Sequence, residues 1–148
     1  LTKRFEARLA DAFAKEGLDP KRHLVLLPPL DMAHYAALNR ACHLFLDSLQ
    51  WSGGNTALEA VAQGLPVLTW PGDLMRGRHS AAILTQAGLH EGLATSRADY
   101  VARAVRFAQD RAALAAYAAR TVQRRDILWR NADATRALEA FLLREIGV

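Results

Sequence analysis

The chain has 148 residues, 51% of them apolar, which fits one ordinary domain with a real core. No apolar run approaches the roughly 20 residues of a membrane span, and Lys3, Arg4, Glu6 and Arg8 break any leader-like start. One cysteine, Cys42, excludes an internal disulfide and points to the cytoplasm, while the net charge of +4 rests on arginines interleaved with Asp and Ala, which reads as solvated helix faces and not as a nucleic-acid surface.

Residues 2–16 are predicted to form a helix, with Phe5, Leu9, Ala12 and Phe13 on one face. Gly17 stops it and Pro20 follows. The run from His23 to Pro28 is apolar and bounded by proline, which predicts a buried strand. Asp31 opens a helix to about Arg40, with Tyr35 and Leu38 facing inward. A second strand is expected over 41–47, a helix over 56–63 stopped at Gly64, a third strand over 65–70 and a helix over 77–87 stopped at Gly88. A short fourth strand fits 92–95. Ser96-Arg-Ala-Asp99 has the form of a capping box, and three helices follow over 97–109, 111–129 and 132–146, the last capped by Asn131 or Asp133.

Strand and helix alternate, and the strands are continuously apolar. That pattern implies a Rossmann-like α/β domain: an incomplete parallel sheet of three to four strands, flanking helices and a C-terminal helical tail over 97–148. So few strands suggest a piece of a longer protein, with an exposed sheet edge open to self-association.

Ligands of open parallel sheets bind beyond the carboxyl ends of the strands. Three loops fall there: 28–34, 47–56 and 70–78. In the second, a strand ends in Asp47, a small-residue turn follows, and a helix starts on Gly53, Gly54, Asn55 and Thr56. Backbone N–H groups at a helix start make an anion nest, here suited to a diphosphate. The alternative is a plain helix cap with glycines for a tight turn. Glu59 lies on the same helix face, placed either for two ribose hydroxyls or as an acid favoured by the helix dipole. Arg76 and Arg78 flank a glycine on the third loop and could clamp a phosphate or sugar, or pair with Asp73. His34 and His79 lie near the same edge, where a lone histidine is ordinarily structural or exposed. Trp51 and Trp70 could wall a sugar, but packing is their ordinary role. No His/Cys/Asp cluster has zinc spacing, and Ser52 and Ser80 lack a nucleophile-elbow context, so neither a metal nor a hydrolase is expected.

The run Leu44-Phe-Leu-Asp47, eight residues, Thr56, Glu59 and then Gly64-Leu-Pro-Val-Leu-Thr69 resembles the C-terminal lobe of the O-linked N-acetylglucosamine transferase family, which includes SPINDLY-type and bacterial tetratricopeptide-containing proteins. The resemblance covers about Leu24 to Phe141. It implies one lobe of a two-lobed (GT-B) inverting transferase that binds a UDP-sugar, with UDP-N-acetylglucosamine as donor, no metal or other cofactor, and a protein acceptor held by a region upstream. Carried over, Glu59 holds the ribose, Gly54, Asn55 and Thr56 meet the diphosphate, and the segment from Pro29 and Leu30 to His34 meets the uracil, with His34 the catalytic candidate. The family run reads Gly-His-Thr-Thr where this chain has Gly53-Gly54-Asn55-Thr56. A side-chain donor to the phosphates is thereby lost, which leaves Arg76 or Arg78 to compensate. A basic residue of the family before His34 is replaced by the Asp31-Met32 region. These departures keep a second reading open, a degenerate lobe that binds nucleotide or protein without catalysis.

Overall fold

The computed structural model describes residues 2–129 and 131–147. By packing, the chain divides into two units, Leu1–His34 and Tyr35–Val148.

The first unit carries α1 (Thr2–Lys15) and α2 (Pro20–His23). Gly17 turns the chain at a positive φ of 72°. Asp19 caps α2 by accepting from the N–H of Lys21, and Pro20 takes the first helical position, where no N–H is needed. Phe13 stacks on His23, ring centroids 6.2 Å apart. The segment from Leu24 to Leu30 has no regular secondary structure and pairs with no strand among the described residues, and Val25 is 83% exposed. The predicted buried strand at 23–28 is therefore not formed. An apolar run supplies propensity for a strand, but the ladder needs a partner.

In the second unit, β1 (Phe45–Leu46) pairs in parallel with β2 (Val67–Leu68), with Phe45 opposite Val67. Thr69 forms one parallel bridge to Leu93. The predicted sheet of three to four strands thus reduces, among the described residues, to two short strands and a bridge. Its parallel sense is as expected. Between the strands runs α4 (Asn55–Ala62), and α5 (His79–Ala87) follows a 3₁₀ turn at Met75–Gly77. Then come α6 (Arg97–Gln109), α7 (Arg111–Arg124) and α8 (Asp133–Ile146), with α3 (Met32–Ala41) ahead of β1. The predicted helix over 111–129 is shorter, its end tightening into a 3₁₀ turn at Arg125–Leu128.

The core lies between the two strands and α4 to α7. Val61, Leu65, Val67, Leu84 and Leu89 pack there with Phe107 of α6 and Tyr117 of α7. The rings of Phe107 and Tyr117 stack at 5.5 Å. Helices after residue 97 are thus part of this core rather than an appendage, α8 excepted, which has no buried residue. The Tyr117 hydroxyl donates to the carbonyl of Val67 at 2.7 Å, and burial pushes its pKa up. Arg124 and Arg125 close two helices. Arg124 donates to the carbonyl of Ala87 at 2.8 Å and Arg125 to that of Ala62 at 3.0 Å, so the guanidinia satisfy orphan carbonyls at the ends of α5 and α4.

The start of α6 follows the capping pattern with one change. Ser96 accepts from the N–H of Asp99, but Asp99 accepts from Thr95, not Ser96. Asp99 also takes the Arg103 guanidinium, at 2.9 Å. That ion pair, aided by the Thr95 N–H, holds its carboxyl at about 2, below the ordinary 3.8. A depressed folded pKa means that this contribution is complete above about pH 4 and fades as pH falls towards about 2. Acid unfolding of Asp99→Asn should therefore depend less on pH across that window than wild type. Identical acid profiles would contradict the assignment.

Gly92 has no room for a side chain, because a Cβ there would run into the Tyr117 hydroxyl and the Val67 carbonyl. Gly92→Ala should cost about 1–3 kcal/mol in denaturant unfolding, as overpacking does. A wild-type midpoint would show that the neighbours move freely.

Candidate functional site

The loop after β1 is built around Asp47. Its carboxylate is buried and accepts three hydrogen bonds, from the Ser52 hydroxyl (2.7 Å), the Thr69 hydroxyl (2.7 Å) and the Gly53 N–H (2.8 Å). Thr69 lies just beyond β2, so one carboxylate joins the ends of both strands to the turn. Tyr100 of α6 donates to the backbone carbonyl of Asp47 at 3.1 Å. Burial, with Asp47 adding to it, raises the Tyr100 phenol to about 12, so the group stays a donor.

The turn is then fastened to the loop after β2. Ser80 donates its N–H to the Ser52 hydroxyl (2.9 Å) and its own hydroxyl to the Gly53 carbonyl (3.0 Å). Ser52 donates its N–H to the Arg76 carbonyl at 2.8 Å. Two loops that are distant in sequence become one rigid wall. The two serines, read as lacking a hydrolase context, hold this wall together.

From it α4 begins on Gly54, and no side chain caps the helix. The first amide bonded back within the helix is that of Leu58, to the Gly54 carbonyl. Asn55 and Thr56 are exposed. The Thr56 hydroxyl lies against Gly53, where it would meet any Cβ at 2.6 Å. Uncapped N–H groups and a hydroxyl at a helix start can hold an anion. The Gly53 N–H, expected in that nest, is occupied by Asp47. Glu59 is half-buried one turn further in, near enough to Tyr35 that its charge helps raise the Tyr35 phenol, burial being the larger cause.

Arg76 and Arg78 part company. The Arg76 guanidinium lies over the Trp51 ring, 6.0 Å from its centroid. Arg78 lines a separate cavity of about 470 Å³ with Pro71, Thr85 and Leu93. Among the described residues, neither arginine forms an ion pair with Asp73. Trp51, expected to pack, is 73% exposed. Trp70 is half-buried, and His79 sets its ring beside Gly54, Nδ1 being 3.9 Å from where a Cβ would stand.

Pro29, Leu30 and His34 belong to the first unit. The loop ends in Asp31, which accepts from both the N–H and the ring Nδ1 of His34, each at 2.8 Å. A carboxylate only accepts, so Nδ1 is the donor in that bond. The backbone bond from His34, then the ring bond, lower the Asp31 carboxyl. Pro29 and Leu30 are exposed.

Among the described residues no group of three His, Cys, Asp or Glu side chains could hold a metal ion, and no helix is long and apolar enough to cross a membrane.

Known proteins resemble this chain in sequence and fold. The chain is 29% identical over 108 residues to the rice (Oryza sativa subsp. japonica) protein described as probable UDP-N-acetylglucosamine–peptide N-acetylglucosaminyltransferase SPINDLY, covering 72% of this chain and 12% of that protein. It superposes with a TM-score of 0.80 and 30% identity on the K341M mutant of the Thermobaculum terrenum O-GlcNAc transferase, covering 94% of this chain and 27% of the other. The chain thus spans a minor part of each relative. The family model for Glycosyl transferase family 41 matches residues 3–129. With a match over most of its length, the chain belongs to glycosyl transferase family 41.

Proposed function

We propose that this chain is the nucleotide-sugar-binding lobe, the C-terminal half of a GT-B enzyme, of an inverting protein O-glycosyltransferase. Its donor is a UDP-sugar, UDP-N-acetylglucosamine. The reading rests on one observation in a family-41 chain: the turn pinned by Asp47 leaves the start of α4 uncapped, with the Thr56 hydroxyl beside it and Glu59 one turn on. The N–H groups of Gly54, Asn55 and Thr56, with the Thr56 hydroxyl, take the diphosphate. Glu59 accepts from the ribose hydroxyls. Backbone groups at Pro29 and Leu30 take the uracil.

In the transfer, an acceptor hydroxyl oxygen bonds to the anomeric carbon from the face opposite the leaving group. The bond from that carbon to the β-phosphate oxygen breaks, and UDP leaves with the electron pair. The hydroxyl proton passes to a base, for which the His34 imidazole is the candidate. Negative charge grows on the β-phosphate as the bond breaks. Fixed N–H dipoles and the Thr56 hydroxyl stabilise that charge without a metal. The protein acceptor is held by parts of the enzyme outside these residues.

The replacement of the family's His-Thr by Gly54-Asn55 favours a second reading, a lobe that binds nucleotide without transferring sugar. Two measurements separate them. Thr56→Ala in the full-length enzyme should lower kcat by about 10²–10³, the usual effect of losing one such donor. An unchanged rate would remove the diphosphate role. Glu59→Ala should weaken UDP binding in calorimetry, and equal affinity would dismiss the ribose role. Saturable UDP binding with no transfer by the wild-type enzyme would establish the second reading.

A further inference from the structure

The reading above leaves one prominent side chain unused. Trp51 stands 73% exposed on a loop that is otherwise firmly held. Its neighbour Ser52 is buried and bonded to Asp47, and the Ser52 N–H is bonded to the Arg76 carbonyl. The two backbones are therefore locked side by side, and their side chains emerge together into solvent with the guanidinium over the indole. A tryptophan that packed into a core would bury on the order of 150–250 Å². This one forgoes that burial while the backbone beside it is held and its ring lies under the Arg76 guanidinium, which favours a preorganised contact.

We propose that Trp51 and Arg76 form the platform for the sugar ring of the donor, and so help to set donor specificity. The inference rests on the nucleotide-sugar reading. A pyranose presents a flat face of polarised C–H bonds, which suits the negative face of an indole. Its hydroxyls suit the planar fork of donors on Arg76. The position along the ligand follows from the chain. Glu59 lies on the helix side of the Gly53-Gly54 turn, Trp51 on the strand side. With ribose at Glu59 and the diphosphate at the helix start, we assign the strand side of the turn to the sugar.

The test compares two ligands on the full-length protein by calorimetry, UDP and UDP-N-acetylglucosamine. Trp51→Ala should weaken the sugar nucleotide about 3- to 10-fold, as loss of one stacking contact does, and leave UDP unchanged. Trp51→Phe, which keeps an aromatic face, should retain most of the affinity. Arg76→Ala should shift the same ratio in the same direction. Equal loss for both ligands, or no loss for either, overturns the proposal. So does a raised KM for the acceptor with donor affinity unchanged, which would assign the platform to the acceptor. Wild-type protein that binds neither ligand overturns the nucleotide reading, and the platform with it.

Discussion

The structure depends on where the carboxylate of Asp47 goes. A buried carboxylate is costly unless its oxygens are satisfied. Here three donors do this, and they come from three places: Ser52 and Gly53 in the turn and Thr69 after β2. The requirement that all three meet one side chain fixes the turn's path. It also fixes the point at which α4 can begin. A glycine turn without such a pin would have many conformations, and its N–H groups would not share a direction.

From this pin the constraint spreads outward. The parallel register of β1 and β2 sets Asp47 and Thr69 at the same sheet edge. Ser80 carries the link to α5, and the Ser52 N–H carries it to Arg76. Tyr100 reaches in from α6 to the Asp47 carbonyl. At the far ends of α4 and α5, Arg125 and Arg124 satisfy the carbonyls that those helices leave open. The helices after residue 97 thus hold the site's supports at both ends, although no ligand-facing residue is assigned to them.

What was legible in the sequence was local. Helices announce themselves by caps and stops within a few residues, and Ser96, Asp31, Gly64 and Gly88 all act near where their patterns place them. Strands were less legible, because a ladder is made with a partner that the local run does not name. The apolar run after His23 has the composition of a strand and lacks the partner. The family pattern pointed to the family, and the match over residues 3–129 bears that out. Its internal logic was hidden. Asp47 reads as an acid at a strand end, and only the fold brings Thr69, 22 residues later, onto it. Trp51 reads as a packing residue because most tryptophans are. Long-range placement decided both.

The departure at Gly54-Asn55 concentrates the anion-holding work on backbone groups, which need a fixed scaffold more than a side chain does. The central claim is that the uncapped start of α4 receives a nucleotide diphosphate. Hydrogen–deuterium exchange of the full-length protein, with and without saturating UDP, tests it most directly. Amides of the segment from Gly54 to Glu59 should exchange more slowly in the presence of UDP. Bound UDP with unchanged exchange in that segment would contradict the account.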